Sequence, residues 1–256
     1  MITVTTPLAY DYRYAFAAIK AYYPIADEIL LGLDKDRISW SGKPFDFDVA
    51  EFERFLAVVD TRKIVTICEG NFHTYDKPMD NDTAEHNSLS MMAKPGNWVV
   101  NVDSDEVLLN PAEFKAYMET APEDCVIIAR LLNVFKTFPS PDGDKILLIE
   151  PPKECAFFGT MLRGGYMRGR ATDQKGANSP GVFLHFAWGR KREELMQKLN
   201  NWGHSRDFDV EKYMEFWDSI TLENWQEPRD FHPLDPHMWP RLSAPLNIIG
   251  LPGEAF

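Results

Sequence analysis

Hydrophobic positions in the first 110 residues fall into short apolar runs separated by segments of helical spacing. Residues 2–6, 28–33, 63–68 and 98–102 are short, apolar and rich in β-branched side chains, the pattern of strands buried on both faces. Residues 12–23, 49–59 and 83–93 carry helical periodicity. The first of these stops before Pro24, and Pro95-Gly96 closes the third. Strand and helix therefore alternate, which predicts a parallel α/β sheet. Ligands of such sheets sit at the carboxyl ends of the strands. Asp34, Glu69 and Asp103 all fall just past predicted strand ends and are expected to share one edge.

The remainder is less regular. Residues 125–130 and 145–150 read as strands joined through "FPSPDGDK", a turn rich in Pro, Asp and Gly. Residues 156–162 and 181–188 read as further strands, the latter containing His185. Between them "RGGYMRGRATDQKGANSPG" is glycine-rich and basic, and is expected to be a mobile loop. Residues 191–202 and 210–220 are amphipathic and helical. The tail from Asn224, rich in Pro and Trp, is expected to wrap the surface. Its aromatics Trp225, Phe231 and Trp239, with Tyr166, suit either sugar stacking or burial of the tail. No repeat and no linker divides the chain, so 1–256 reads as one domain.

Composition adjusts this picture in a few places. The chain has 256 residues and is 45% hydrophobic, enough for a continuous core. Its formal net charge is -12, which does not attract nucleic acid or an anionic membrane at long range. Excess acid suits a protein that holds a divalent cation, and surface solubility explains it equally well. Cys68, Cys125 and Cys155 are far apart with no C-x-x-C spacing, so they read as reduced residues of a cytoplasmic protein. The opening "MITVTTPLAY" lacks the pattern of a signal peptide, and no run approaches a membrane span.

The candidate chemistry lies in "WVVNVDSDEVLLNP", residues 98–111, where three acids follow an apolar strand within four positions. Two carboxylates brought together repel unless a cation lies between them or one is protonated. Carboxylate oxygens suit Mg²⁺ or Mn²⁺, which complete their shells with water and phosphates. Asp103 and Asp105 are thus expected to hold a divalent metal that in turn holds a diphosphate.

With Asp34 after the second strand, this motif resembles that of GT-A glycosyltransferases of the family 2 type, bacterial or phage. "EGNF", "AEHNSL" and "FLHFAWGRKREELMQKLNNWGHSRD" extend the resemblance from the first strand to about Trp239. The last tract, with His185, Trp188, Lys198, Asn201, Trp202, Gly203 and His204, is the most distinctive. His86 stands where an arginine is expected. The resemblance implies a GT-A fold, an α/β architecture with a mostly parallel central sheet flanked by helices. Residues 1–110 would form a nucleotide-binding half ending in the Asp-x-Asp motif, and 111–256 an acceptor-binding half with a C-terminal tail. It implies transfer of a sugar from a nucleotide-diphosphate sugar, UDP by default, to an acceptor hydroxyl with inversion. The nucleotide would lie against Thr5, Thr6, Pro7, Asp34 and Asp103. Asp103, Asp105 and His185 would hold Mn²⁺ or Mg²⁺, although His185 reads equally well as a core histidine.

An inverting displacement also needs a carboxylate base. Asp173 is the first candidate and Glu154 the second, each against the plainer reading of an exposed loop acid. Glu106 either orients the acceptor or a metal-bound water, or is a solvated turn residue. Arg163, Arg168, Arg170 and Lys175 either close over the diphosphate, bind a phosphate-bearing acceptor, or are solvated. A glycan, a lipid-linked sugar and a modified DNA base all remain open as acceptors. Two rival readings stand: a haloacid-dehalogenase-type phosphohydrolase with Asp103 as nucleophile and Asp105 as acid/base, and a non-catalytic nucleotide- or sugar-binding module of the same fold.

Overall fold

The computed structural model describes residues 1–140, 143–202, 204 and 207–248. Gly203, and Pro141 and Asp142 of the predicted turn, lie outside the described residues. The chain is a mixed α/β protein with a large central sheet flanked by helices.

Strands β1 (Ile2–Leu8), β2 (Glu28–Asp34), β3 (Val65–Gly70) and β4 (Trp98–Asn101) lie side by side in the order β3–β2–β1–β4, all parallel. Every residue of β1 is buried, because it has a strand on each side and helices over its faces. Its threonines are satisfied internally: Thr3 donates to Glu28, Thr5 donates to Asn101, and Thr6 shares a hydrogen bond with Tyr22. Buried hydroxyls without partners would be costly.

The connecting helices are α1 (Ala15–Tyr22), α2 (Val49–Val59) and α3 (Pro78–Met92). Tyr12–Tyr14 forms a 3-10 turn ahead of α1 instead of joining it. Asp48 caps α2 by accepting from the Glu51 amide at 2.9 Å. Helix α3 begins five residues before its predicted start, with Pro78 in the first turn where no amide hydrogen bond is lost. It packs closely over β2 because residue 32 is glycine. A Cβ there would lie 2.5 Å from a Glu85 carboxylate oxygen and 2.9 Å from Leu89.

The second half departs from a parallel sheet. After β5 (Glu106–Leu108) and α4 (Pro111–Met118) come β6 (Cys125–Phe138), β7 (Asp144–Glu150), β8 (Cys155–Thr160) and β9 (Lys175–His185). Strand β8 inserts between β4 and β6, antiparallel to both. Strand β9 runs parallel to β6 and antiparallel to β5. The expectation of a mostly parallel sheet thus holds for β1–β4 and fails beyond them. Strand β9 also claims residues 175–180 from the predicted mobile loop. Pairing with β6 outweighs their weak strand propensity, and the register shifts opposite Pro180, which has no amide to donate.

Helices α5 (Arg192–Asn201) and α6 (Val210–Ser219) pack on β6 and β7, forming a second core around Phe135, Leu147, Leu195 and Trp217. The tail does more than wrap the surface. Phe231, Trp239 and Leu242 enter this core, and β10 (Arg241–Leu242) and β11 (Leu246–Ile248) add to the edge of β7. Tyr166 is buried as well. Among the described residues no helix is long and apolar enough to cross a membrane.

Candidate active site

The turn after β4 closes on itself. The Glu106 amide donates to the Asp103 carbonyl, and the Asp103 amide donates to the Glu106 carboxylate at 2.9 Å. Glu106 therefore points inward. It is completely buried, and both its oxygens accept from Arg170, whose guanidinium also covers the Phe158 ring. This corrects two expectations: Glu106 is neither solvated nor directed at an acceptor, and Arg170 clamps the motif from beneath.

Asp105 faces the opposite way, into a cleft of about 200 Å³ at the carboxyl ends of β1 and β4. It too is buried, yet it has charged partners. Arg190 and Lys198 both donate to its Oδ2, and His185 Nε2 lies 3.7 Å from its Oδ1. Burial by itself would raise the Asp105 pKa, but Lys198, His185 and Arg190 outweigh it and hold the carboxyl well below the usual range. Arg190 is fully buried. It reaches Asp11 in the β1–α1 loop at 2.9 Å and lies over the Tyr14 ring, so it ties the two halves together.

Asp103 lies at the mouth of the cleft with its side chain 38% exposed, although its Oδ1 is buried without a hydrogen-bond partner. His86 Nε2 is 3.6 Å away and Arg170 3.8 Å away. Burial depresses the His86 pKa to about 4 against the pull of Asp103, so this histidine is neutral. The guanidinium near Asp103 comes from Arg170 on a distant loop, not from position 86 on α3. Beside it, burial pushes both Asp82 and Glu85 up to about 8, so these α3 carboxyls keep their protons near neutrality. Glu85 accepts from the Trp40 indole at 2.7 Å.

The other wall comes from the second half. Glu154, just before β8, accepts two hydrogen bonds on Oε2, from Asn133 at 2.6 Å and from the Trp239 indole at 3.0 Å. Its Oε1 has no partner among the described residues. Trp188, Trp202 and His232 complete this wall.

Of the expected site residues, Pro7, Asp103, Asp105, Glu154 and His185 line the cleft together. Thr5 and Thr6 support the floor from within β1, their hydroxyls already engaged. Asp34 is buried and accepts from the amides of Asp36, Ile38 and Phe72, so its carboxylate holds the β2–α2 and β3–α3 loops together. Asp173 is exposed and outside the cleft lining, whereas Glu154 lines it.

The basic loop is not free to close over a ligand. Its Gly164, Tyr166 and Gly169 amides donate to Ser90, Asn87 and Thr83 of α3. Arg163 is spent on the carbonyls of Lys94, Asn97, Met161 and Leu162. Arg168 and Lys175 are exposed, and neither lines the cleft. His204 pairs with Asp207 at 2.7 Å. Asp11, Trp40, Asp82 and Asn133 carried no sequence signal, and Glu85 and Arg190 stood in quoted tracts without an assigned role. Lys198 stood in the distinctive tract without an assigned role.

The donor atoms suit a divalent cation in part. Asp103 Oδ1, Asp105 Oδ1 and His185 Nε2 each keep a lone pair free of hydrogen bonds among the described residues. Among the described residues no group of three or more His, Cys, Asp or Glu side chains is arranged to hold a metal ion by itself. An ion held here would depend on oxygens from water and a bound phosphate, as Mg²⁺ and Mn²⁺ commonly do. No protein-family model matches the chain, and no curated protein sequence is significantly similar to it.

Proposed function

We propose that the protein is a metal-dependent glycosyltransferase of GT-A type, moving a sugar from a nucleotide-diphosphate sugar to an acceptor hydroxyl with inversion. The observation that carries this reading is the meeting, in one cleft, of Asp103, Asp105 and His185 with Glu154 from the opposite wall. The donor groups stand at the carboxyl end of a parallel sheet, where ligands of α/β proteins bind.

Charge supports the requirement for a cation. Among the described residues six carboxyl groups line the cleft: Asp82 and Glu85 keep their protons near neutrality, Asp11 and Asp105 are paired with Arg190 and Lys198, and Asp103 and Glu154 remain, Asp103 with only Arg170 nearby at 3.8 Å and Glu154 with no paired cation. A diphosphate entering alone would be repelled. Asp103, Asp105 and His185 would hold Mn²⁺ or Mg²⁺, which when bound supplies positive charge for the departing diphosphate. The same charge balance favours an uncharged acceptor, such as a glycan hydroxyl, over a phosphate-bearing one.

Glu154 is the base in this reading. Its Oε2 is fixed by two donors, and the partnerless Oε1 takes the acceptor proton as the acceptor oxygen bonds to the sugar carbon and the diphosphate leaves with the bonding pair. UDP-sugar remains the first donor to try. The phosphohydrolase reading needs Asp105 to deliver a proton, and a carboxyl held ionised by Lys198 and Arg190 is a poor acid.

The test is thermal unfolding with nucleoside diphosphates and nucleotide sugars, with and without Mn²⁺. A ligand that binds only the native state raises the melting temperature. One nucleoside diphosphate should stabilise the protein only with Mn²⁺, and Asp103→Asn should weaken that dependence without lowering the unliganded melting temperature. Donor turnover separates the transferase from a binding module. Equal shifts in wild type and Asp103→Asn would reject the assignment.

A further inference from the structure

The geometry points to Asn133 as a positioning residue that sets which nitrogen of His185 faces the cleft and couples the donor side of the site to its base. Asn133 and His185 are direct partners in the parallel β6–β9 ladder, and His185 is in turn the partner of Glu106 in β5. Three strands thus place these side chains in one row, with Asn133 buried.

The hydrogen bonds around Asn133 are directional. Its Nδ2 donates to Glu154 Oε2 at 2.6 Å, the oxygen that also accepts from the Trp239 indole. That contact orients the amide, so Asn133 Oδ1 is the atom 2.7 Å from His185 Nδ1. A carbonyl oxygen can only accept, so Nδ1 carries the proton. In neutral His185 the lone pair then belongs to Nε2, the nitrogen beside Asp105. Histidine ligands of metals are generally oriented in this way, by a hydrogen bond on the other ring nitrogen. Here one amide serves two groups: it turns the His185 lone pair toward the acids and holds Glu154 Oε2, leaving Oε1 for an acceptor.

The metal-binding part of this inference rests on the proposed transferase reading, whereas the tautomer does not. Long-range proton–nitrogen NMR correlation on the labelled protein reads the tautomer directly, with the His185 signals assigned by their loss in His185→Gln. At a pH high enough for the imidazole to carry a single proton, wild type should show Nδ1 protonated and Nε2 bare. Asn133→Leu removes the acceptor and should lose that preference. Asn133→Asp keeps an acceptor opposite Nδ1 and should retain its proton, which guards against a Leu variant that fails to fold. In parallel, Mn²⁺ binding in the presence of UDP should weaken about 10- to 100-fold in Asn133→Leu, the usual effect of removing such a supporting partner. A single ring proton residing on Nε2 in wild type, or an unchanged tautomer in Asn133→Leu, overturns the inference. Failure of wild type to bind Mn²⁺ with any nucleoside diphosphate overturns the transferase reading and leaves the tautomer result standing.

Discussion

The two halves of the sheet bring opposite contributions to one cleft. The parallel half supplies acids: Asp11 after β1, and Asp103 and Asp105 after β4. The second half supplies what makes them tolerable and useful, namely Arg170, His185, Arg190 and Lys198, together with Glu154. The first contribution follows from local order, since short crossovers put consecutive strand ends on one edge. The second depends on pairings as distant as Asp105 with Lys198. Crowded carboxylates are thus stabilised by fixed cations before any ligand arrives, and a divalent ion would act on the charge that remains.

Under the proposed transferase reading, the strongest way to break this division of labour is to replace Glu154. Glu154→Gln should lower the rate of sugar transfer about 10²- to 10⁴-fold, the usual contribution of a general base. Asp173→Asn should leave the rate unchanged. Initial rates with the donor identified by thermal shift decide the matter, and the reverse ranking would return the assignment to the loop.

Arg190 links the halves most directly. Arg190→Met should destabilise the fold by about 3 to 5 kcal/mol, because it strips a partner from the buried Asp105 and from Asp11. Urea unfolding measures the loss. Adding Asp105→Asn should recover part of it, since the stranded charge is then gone. Full additivity of the two changes would show that the pair does not act as a unit.

A finer test uses pH. Glu85 and Asp82, both pushed up to about 8, stay protonated in the folded protein where the unfolded chain has lost those protons. The folded state therefore binds more protons, and stability falls as pH rises between 4.5 and 8. His86, with its pKa near 4 when folded against 6.5 when unfolded, opposes this only below pH 6.5. Between pH 6.5 and 8 each acid contributes a slope approaching 1.4 kcal/mol per pH unit at most, about 2.303RT per proton. Glu85→Gln should remove one such contribution and flatten the stability profile measured by urea unfolding. An unchanged slope would mean that Glu85 is ionised in the fold.

The sequence by itself determined the parallel half. Each of its strands and helices carries its own periodicity, and a run of five or six residues suffices to declare a buried strand or its end. The acid motif was legible for the same reason, but of Asp34, Glu69 and Asp103 only Asp103 lies past its strand and lines the cleft, Asp34 and Glu69 falling within the last residues of β2 and β3. Tertiary structure decided the rest. The inward turn of Glu106 depends on Arg170, 64 positions away, the link from Asp34 to the β3–α3 loop on the Phe72 amide, 38 positions away, and the placement of Glu154 in the cleft on Trp239, 85 positions away. Strand β9 and the tail were misread because their order comes from pairing with β6 and β7, not from local propensity. Charge compensation is likewise invisible to a linear reading: Lys198 and Arg190 are ordinary basic residues until α5 and the segment between β9 and α5 bring them against Asp105. A buried charge is permitted only by what surrounds it in space, and sequence spacing does not encode that.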